Sequence, residues 1–371
     1  MRALVTGGAG FIGSHLVDGL LAEGHEVRIL DCLEPQVHGA SRKAPEYLDR
    51  DAELVIGDVR DRGTVSRALD GVEAVFHHAA AVGVAQSMYE IERYVSANSL
   101  GAAILLEEIV KRRAGIRKII VASSMSVYGE GAYRDESGKS VAPRPRPLAQ
   151  LERHAWEVED PLGRPLSPIP TPESKPVDPT SVYAVTKLDH EQLFLVTGAA
   201  YSIPTVALRY FNTYGPRQAL SNPYTGLMAI VCSQLLNHNR PIVFEDGLQR
   251  RDFVHVSDVV RANILALKSG VANGKAYNVG TGHAATVLEV IKRISDSLGA
   301  VEVPEIADRY RAGDIRHCFA DISRIRADLG FAPQVTLEDG IADLMPWIQS
   351  QQSTDSVRAA IESLKARVLI H

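Results

Sequence analysis

Two stretches of this chain carry residue types whose spacing could do chemistry: Thr6-Gly7-Gly8-Ala9-Gly10-Phe11-Ile12-Gly13, and Tyr183-Ala184-Val185-Thr186-Lys187. In the first, Gly7, Gly10 and Gly13 stand three apart between an apolar run at 2–5 and a helical pattern from Phe11 to Ala22. The spacing suits a dinucleotide. The first glycine makes a tight turn, the second admits the backbone to a pyrophosphate, and the third lets helix and strand pack closely. Free N–H groups at the helix start, Phe11 and Ile12, then face the phosphates together with the helix dipole. A glycine-rich run also serves as a plain turn, so a second signal has to decide, and Asp31 supplies it. It ends the next apolar run, at 25–30, where a carboxylate accepts hydrogen bonds from an adenosine ribose and repels a 2′-phosphate. No Arg or Lys follows before Arg42, so the expected cofactor is NAD rather than NADP.

Tyr183 and Lys187 are four apart and share one face of a helix. An ammonium beside a phenol favours the phenolate, lowering a pKa that otherwise sits near 10. A tyrosine so tuned acts as a general base at neutral pH. The same spacing is also that of an ordinary exposed helix pair. Pro176 and Pro179 precede it and Ser181 can cap, which places Tyr183 in the first helical turn, and Ser124 offers a hydroxyl partner.

The elements that must position these groups follow a βαβ rhythm. Apolar runs at 54–56, 74–76, 118–122 and 205–208 alternate with helical stretches such as 95–112 and 181–200. That pattern predicts an α/β fold with a parallel, doubly wound sheet, whose ligands bind beyond the carboxyl ends of the strands. Asp58 and Val59, Ala79 to Ala81, Ser123 and Ser124, and Tyr210 to Asn212 all fall there. Asp58 can accept from an adenine amino group or cap the following helix. His77 and His78 point to opposite sides of a strand end, so they cannot pair on a metal, and core packing or a cofactor contact remains for each. No metal is expected.

Composition agrees with a soluble enzyme. A chain of 371 residues with 45% hydrophobic residues can bury a large core, with room for a smaller lobe. Net charge is −5 and the basic residues are scattered, so nucleic acid is not an expected partner. No apolar stretch approaches the ~18 residues of a membrane span, and no secretion signal is evident. Three dispersed cysteines, Cys32, Cys232 and Cys318, give no disulfide framework, and a cytoplasmic location is expected.

In order along the chain, the glycine run and Asp31 are followed by Gly57-Asp58-Val59, His77-x-Ala79-Ala80, Asn98-x-x-Gly101 and Ser123-Ser124-x-x-Val127-Tyr128-Gly129. Tyr183-x-x-x-Lys187, Arg209-Tyr210-Phe211-Asn212, Arg251-Asp252-Phe253 and Arg311-Ala312-Gly313-Asp314 complete the series. This order resembles the extended short-chain dehydrogenase/reductase family, specifically its nucleotide-sugar epimerases and dehydratases. The resemblance implies a Rossmann-like NAD-binding domain at 1–213, interrupted by a Pro-rich insertion at 130–179. A smaller C-terminal α/β lobe at 214–371 would bind the nucleoside-diphosphate sugar, with 252–270 packing back on the first domain. Tyr183 would be the base, Lys187 its tuner and a nicotinamide-ribose ligand, and Ser124 the hydroxyl bridging to the sugar. Alongside the glycine loop and the strand-end residues, Asn98 and Tyr210 would contact NAD. Asn212, Arg251 and Arg311 would hold the substrate, with Asp314 at the nucleoside. Arg250 beside Arg251 leaves that register open by one. Family dehydratases carry Asp-Glu after the catalytic hydroxyl. Met125 and Ser126 stand here, and neither shuttles a proton near neutral pH, so epimerisation needs the fewest further residues. Helices at 89–113 and 181–200, with an apolar stripe at Ile104, Leu105 and Ile109, imply a homodimer.

A narrower resemblance, carried by Pro35-Gln36-Val37-His38-Gly39, Ala81 to Tyr89, Ser123-Ser124-Met125-Ser126 and the Pro-rich insertion, is to the bacterial dTDP-L-rhamnose 4-epimerases. It would put Ser87 by the hexose, with Met88 either beside it or in the core. UDP-hexose or UDP-uronate 4-epimerase, UDP-glucuronate decarboxylase and a non-catalytic NAD or nucleotide-sugar binder are the competing readings. The insertion, rich in proline, is expected to run an extended, irregular path as a substrate lid or a subunit contact. An amphipathic helix is expected within 353–371.

Overall fold

The computed structural model of the protein describes residues 1–311 and 313–370, so Ala312 of the Arg311 motif and the terminal His371 lie outside the described residues. Its frame is a seven-stranded sheet of β1 (Arg2–Thr6), β2 (Glu26–Asp31), β3 (Glu53–Ile56), β4 (Ala74–His77), β5 (Lys118–Ser124), β6 (Thr205–Tyr210) and β7 (Lys275–Val279). The strand order is β3-β2-β1-β4-β5-β6-β7, and every neighbouring pair is parallel. The order reverses between β1 and β4, the switch point outside which such sheets bind ligands. Because helices cover both faces, β1 and β5 are buried almost throughout rather than alternating.

On one face lie α1 (Phe11–Ala22) and α4 (Val256–Lys268), and on the other α2 (Gly101–Lys111) and α3 (Val182–Tyr201). Leu16, Val17 and Leu20 of α1 share a core with Val259, Val260 and Ala266 of α4. Contact there is close: a Cβ on Gly19 would come within 2.6 Å of Val260. Leu105 and Ile109 of α2 are fully buried in the opposite core with Phe194 of α3. They therefore fill the space under the sheet and cannot form the intersubunit stripe expected of them. The exposed apolar side chains of this region include instead Ile91, Val95, Leu100, Val185 and Val196.

After position 214 the chain builds a separate core around Tyr214, Met228, Cys232, Ile291, Ile294, Ile341 and Leu344, yet it also returns to the main sheet with β7. Asn278 makes that strand hard to read from sequence. It is fully buried, and its amide is satisfied by the carbonyls of Thr171 and Asp321 and by the Tyr128 hydroxyl.

The insertion is more ordered than its prolines suggest. Ala132–Arg134 pairs antiparallel with Ser140–Val141 on one side and Ser167–Ile169 on the other, over a small cluster of Tyr133, Val158 and Leu166. Pro168 is tolerated because its strand is an edge of that sheet. At the C-terminus, Val357–Lys365 is helical, and Ile361, Leu364 and Ile370 pack with Ala85, Tyr89 and Phe244. No described helix is long and apolar enough to cross a membrane.

Candidate active site

Beyond the carboxyl ends of the strands opens a cleft of about 420 Å³ that runs from the glycine turn to Tyr183. Gly7 sits at φ +70°, and a Cβ there would lie 2.7 Å from the Ala79 nitrogen; on Gly13 it would lie 2.1 Å from the Gly7 carbonyl. Only hydrogen fits at either position, so the start of α1 is bare backbone facing the cleft. Asp31, buried at the end of β2, accepts from the amides of Ala9 and Leu33 at 3.0 and 2.9 Å, which fixes its carboxylate at the ribose end. A bare helix start and a fixed carboxylate in one cleft fit a dinucleotide without a 2′-phosphate. Gly10, Phe11, Ile12, Val59, Ala79, Ala80 and Ala81 line the same cleft. Asp58 lines it too, but its carboxylate is paired with Arg60 at 2.6 Å, and the cap of the next helix is Asp61, not Asp58. The two histidines divide the roles left open for them: His77 is buried against Phe194, while His78 lines the cleft stacked along Tyr210.

Ser123 and Ser124 end β5, and Tyr210 ends β6 beside them. The Ser123 hydroxyl donates to Glu191 at 2.8 Å, and Glu191 makes a buried two-armed pair with Arg209, locking both strand ends to α3. Ser181 caps α3 by accepting from the Ala184 amide at 3.1 Å, so Tyr183 enters the cleft from the first turn. Tyr183 and Ser124 line the same cleft, and Ser124 favours the ionised form of the Tyr183 phenol. Ser124 in turn accepts from the Ser126 hydroxyl at 2.9 Å. Met125 is buried and supplies no titratable group.

Burial dominates the electrostatics of this pair. It pushes Tyr183 up to about 12, with Ser124 opposing, and pushes Lys187 down to about 7. The expected lowering of Tyr183 by Lys187 is not met by the chain's own groups: burial sets the direction of both shifts, and the one effect that lowers Tyr183 comes from Ser124.

Several residues expected in the site stand just behind it. Asn98 is fully buried and brackets Ala81, accepting from its amide at 2.7 Å and donating to its carbonyl at 3.2 Å, so it shapes the small-residue wall without lining the cleft. Ser87 accepts from the Tyr183 amide at 3.0 Å and donates to the Val84 carbonyl at 2.7 Å. With both bonds used and no exposure, it holds the Tyr183 turn and has nothing left for a hexose. Met88, rather than core or cleft, is exposed. Asn212 lines the cleft, but Arg251, Arg311 and Asp314 do not. Arg251 donates to the carbonyls of Arg250, Ile315 and Arg316 at 2.7–2.9 Å. Arg311 pairs with Asp314 at 2.9 Å and lies over Phe244. These three sit in the smaller lobe, satisfied by one another and by backbone.

Sequence reading passed over Gln218, Asn222, Thr225, Met228 and Phe253, which line the same cleft. The signal available was the turn-forming Asn222-Pro223-Tyr224-Thr225-Gly226, which marks a loop but not what it faces.

Residues 3–148 match the family described as NAD dependent epimerase/dehydratase, and residues 163–344 the family described as GDP-mannose 4,6 dehydratase. The chain is 37% identical to the dTDP-L-rhamnose 4-epimerase of Burkholderia thailandensis, over 94% of this chain and 95% of that protein. It is similar to the structure of UDP-glucose 4-epimerase from Thermotoga maritima with UDP-glucose, at 31% identity and a TM-score of 0.75, covering 94% of this chain and 99% of that one. It is also similar to the UDP-glucuronic acid 4-epimerase of Bacillus cereus in complex with UDP-glucuronic acid and NAD. There the identity is 27% and the TM-score 0.76, over 94% and 99% of the two chains.

Proposed function

The chain belongs to the NAD-dependent epimerase/dehydratase family of nucleotide-sugar enzymes, and from that premise we propose that it is a 4-epimerase interconverting dTDP-L-rhamnose and dTDP-6-deoxy-L-talose. The observation that carries the reaction type is Tyr183 and Ser124 lining one cleft, with the Ser126 hydroxyl donating to Ser124 and Met125 and Ser126 where a carboxyl pair would stand. A proton can be taken from one sugar hydroxyl, but no carboxyl group stands by to expel water from C5 and C6.

In this reading Gly7, Gly10, Phe11, Ile12 and Gly13 hold the pyrophosphate of NAD and Asp31 its adenosine ribose. Lys187 and Tyr210 lie at the nicotinamide end. When bound, NAD supplies the hydride acceptor for oxidation at C4 and the donor for re-reduction from the other face, so there is no net redox change. Tyr183 takes the O4 proton, with the Ser124 hydroxyl relaying it, and returns it on reduction. Burial that raises Tyr183 makes it a strong base once ionised, and Lys187 keeps a positive charge near it below about pH 7. Asn212 is the substrate contact in the cleft, while Arg251, Arg311 and Asp314 are proposed to serve the nucleoside diphosphate on the smaller-lobe side, exchanging their present partners for phosphate oxygens.

The choice of dTDP-L-rhamnose rests on the segment from Pro35 to Gly39, on Ala81 to Tyr89, and on similarity to the Burkholderia enzyme. Its test is incubation with a panel of dTDP-, UDP- and GDP-sugars, with products resolved by NMR in deuterated water. The expected outcome is a mixture of two C4 epimers near unity from dTDP-L-rhamnose, with no deuterium at C5. Dehydration of dTDP-glucose, or carbon dioxide from a UDP-uronate, would overturn the reaction type. Turnover of UDP-sugars alone would leave the mechanism standing and remove the rhamnose assignment.

For the assembly we propose a cytoplasmic homodimer joined through Val95, Leu100, Val185 and Val196, each between 44% and 64% exposed. Light scattering at micromolar concentration should give twice the monomer mass, and a clean monomer would count against it.

A further inference from the structure

Between the small strand Asn212–Tyr214 and the helix Leu227–Leu236, the chain crosses from the smaller lobe back over the cofactor half of the cleft. We propose that this crossing, residues 216–225, is a strap that retains the dinucleotide, closed by two anchors. The first anchor lies beside the glycine turn. His15 of α1 donates to the Pro216 carbonyl at 3.0 Å, and Arg217 pairs with Asp18 of α1 at 2.7 Å. The Arg217 guanidinium also lies 5.0 Å over the ring of Tyr47, whose hydroxyl donates to the Ala9 carbonyl inside the glycine run at 3.0 Å. Arg217 makes these contacts at φ +68°, a conformation that costs a residue with a side chain and that its partners must offset.

The second anchor lies past Asp31, at the other end of the dinucleotide half. Gln36 donates to Asn222 at 2.9 Å. Its amide also exchanges bonds with Gln86, at 3.1 and 3.3 Å, and accepts from Arg93 at 2.9 Å. One side chain thus joins the segment after β2, the wall before α2 and the strap. Between the anchors Gln218 and Ala219 face the same cleft as Gly10 and Asp31, as do Asn222 of the second anchor and Thr225 beyond it. A ligand seated from the glycine turn to Asp31 is therefore covered, and leaves only when the Asp18–Arg217 and Gln36–Asn222 contacts open. Retention of NAD fits a reaction in which the same cofactor is oxidised and reduced within one turnover, and the need for it rests on the epimerase reading.

The strap is tested by the rate at which NAD leaves the purified holoenzyme, measured as NAD in the filtrate after dilution. Asp18→Asn combined with Gln36→Ala should speed release by roughly tenfold or more, the loss of about one modest ionic contact and one amide pair. Turnover with saturating added NAD should stay within about twofold of the parent, since neither residue reaches the reacting atoms. Gln36→Ala alone, which leaves α1 untouched, should still speed release by about threefold and covers the case in which the double variant does not fold. As a control, Glu23→Gln removes the ion pair with Lys268 just past the C-terminal end of α1, the end away from the glycine turn, and should leave release unchanged. Parental release rates in both strap variants, or equal acceleration by Glu23→Gln, would overturn the proposal. A holoenzyme that releases NAD slowly but turns over no nucleotide sugar would remove the epimerase reading and leave the strap intact.

Discussion

The glycine-turn half of the molecule and the proline-rich insertion are held in place by opposite means. Around the glycine turn, position is set by backbone approaching backbone: hydrogen alone fits at Gly7 and Gly13, and small alanines form the facing wall. In the insertion and the strand it leans on, position is set by buried charge. Arg316 is fully buried and pairs with Glu157, Glu245 and Asp246. Arg146 meets the same Glu245 at 2.7 Å, and Glu130 accepts from the amides of Arg316 and His317. Damage to the first region should therefore change ligand and chemistry while sparing the fold. Damage to the second should cost stability first.

The sharpest way to break that contrast is Tyr183→Phe. One hydroxyl leaves a rigid helix turn held by Ser181 and Ser87, so folding and NAD content should be kept while kcat falls by roughly 10²–10⁴. Activity near that of the parent would remove the general base, and a large fall in the thermal midpoint would remove the contrast. Lys187→Met should act in the same sense more weakly. Burial holds the Lys187 ammonium down to about 7, so its charge is already lost above that pH in the parent; the two pH–rate profiles should differ most below pH 7 and converge above it.

Arg316→Met probes the other side. Removing the shared partner of a buried ionic cluster leaves Glu245 to Arg146 and Glu157 to His317, so the loss of unfolding free energy should fall at or below the low end of the about 3–5 kcal/mol of a fully broken buried pair. Denaturant unfolding measures it, and NAD retained by the folded fraction should match the parent. An unchanged midpoint would mean that the insertion is held by its apolar cluster alone.

This difference also decides what could be read from sequence. Glycine spacing, Asp31 and the Tyr183–Lys187 pair are local patterns in which the chemistry dictates residue type, and they led to NAD, the parallel sheet and the strand-end cleft. Arg316 and Glu157 are 159 positions apart, and nothing in either neighbourhood says they meet. The same holds for Gln36 and Asn222, and for Leu105 and Ile109, whose apolar stripe reads equally well as core or as interface. Ser87 was legible as important but not in its role, because a buried serine between two backbone groups has the same one-letter signature as a sugar ligand.

Gly13→Ala is a smaller and more local perturbation. Its Cβ would stand 2.1 Å from the Gly7 carbonyl, so the turn must shift by enough to spoil the phosphate cradle. Overpacking of this kind costs about 1–3 kcal/mol, here expected mostly as weaker NAD binding with a small change in the thermal midpoint. Titration of apo-protein with NAD checks it, and parental affinity would mean that the close approach is dispensable.

The smallest expected effect belongs to Glu157, and it tests the charge-held region by pH. The hydrogen bond from His317 first, and the Arg316 guanidinium next, hold its carboxyl down to about 2 from an ordinary 4.5. A carboxylate depressed in the folded state contributes stability that is present above its unfolded pKa and lost as pH falls through the folded one. The loss should therefore run from about pH 4.5 down to about pH 2. Because the Glu157 side chain is 46% exposed, solvent screens the pair, and the contribution should stay within about 1 kcal/mol. Glu157→Gln should flatten the thermal midpoint against pH in that window while leaving the midpoint near neutral pH only slightly lower. If the variant and the parent fall in parallel from pH 4.5 to 2, the acid-sensitive group lies elsewhere in the cluster, with Glu245 and Asp246 as the remaining partners of Arg316.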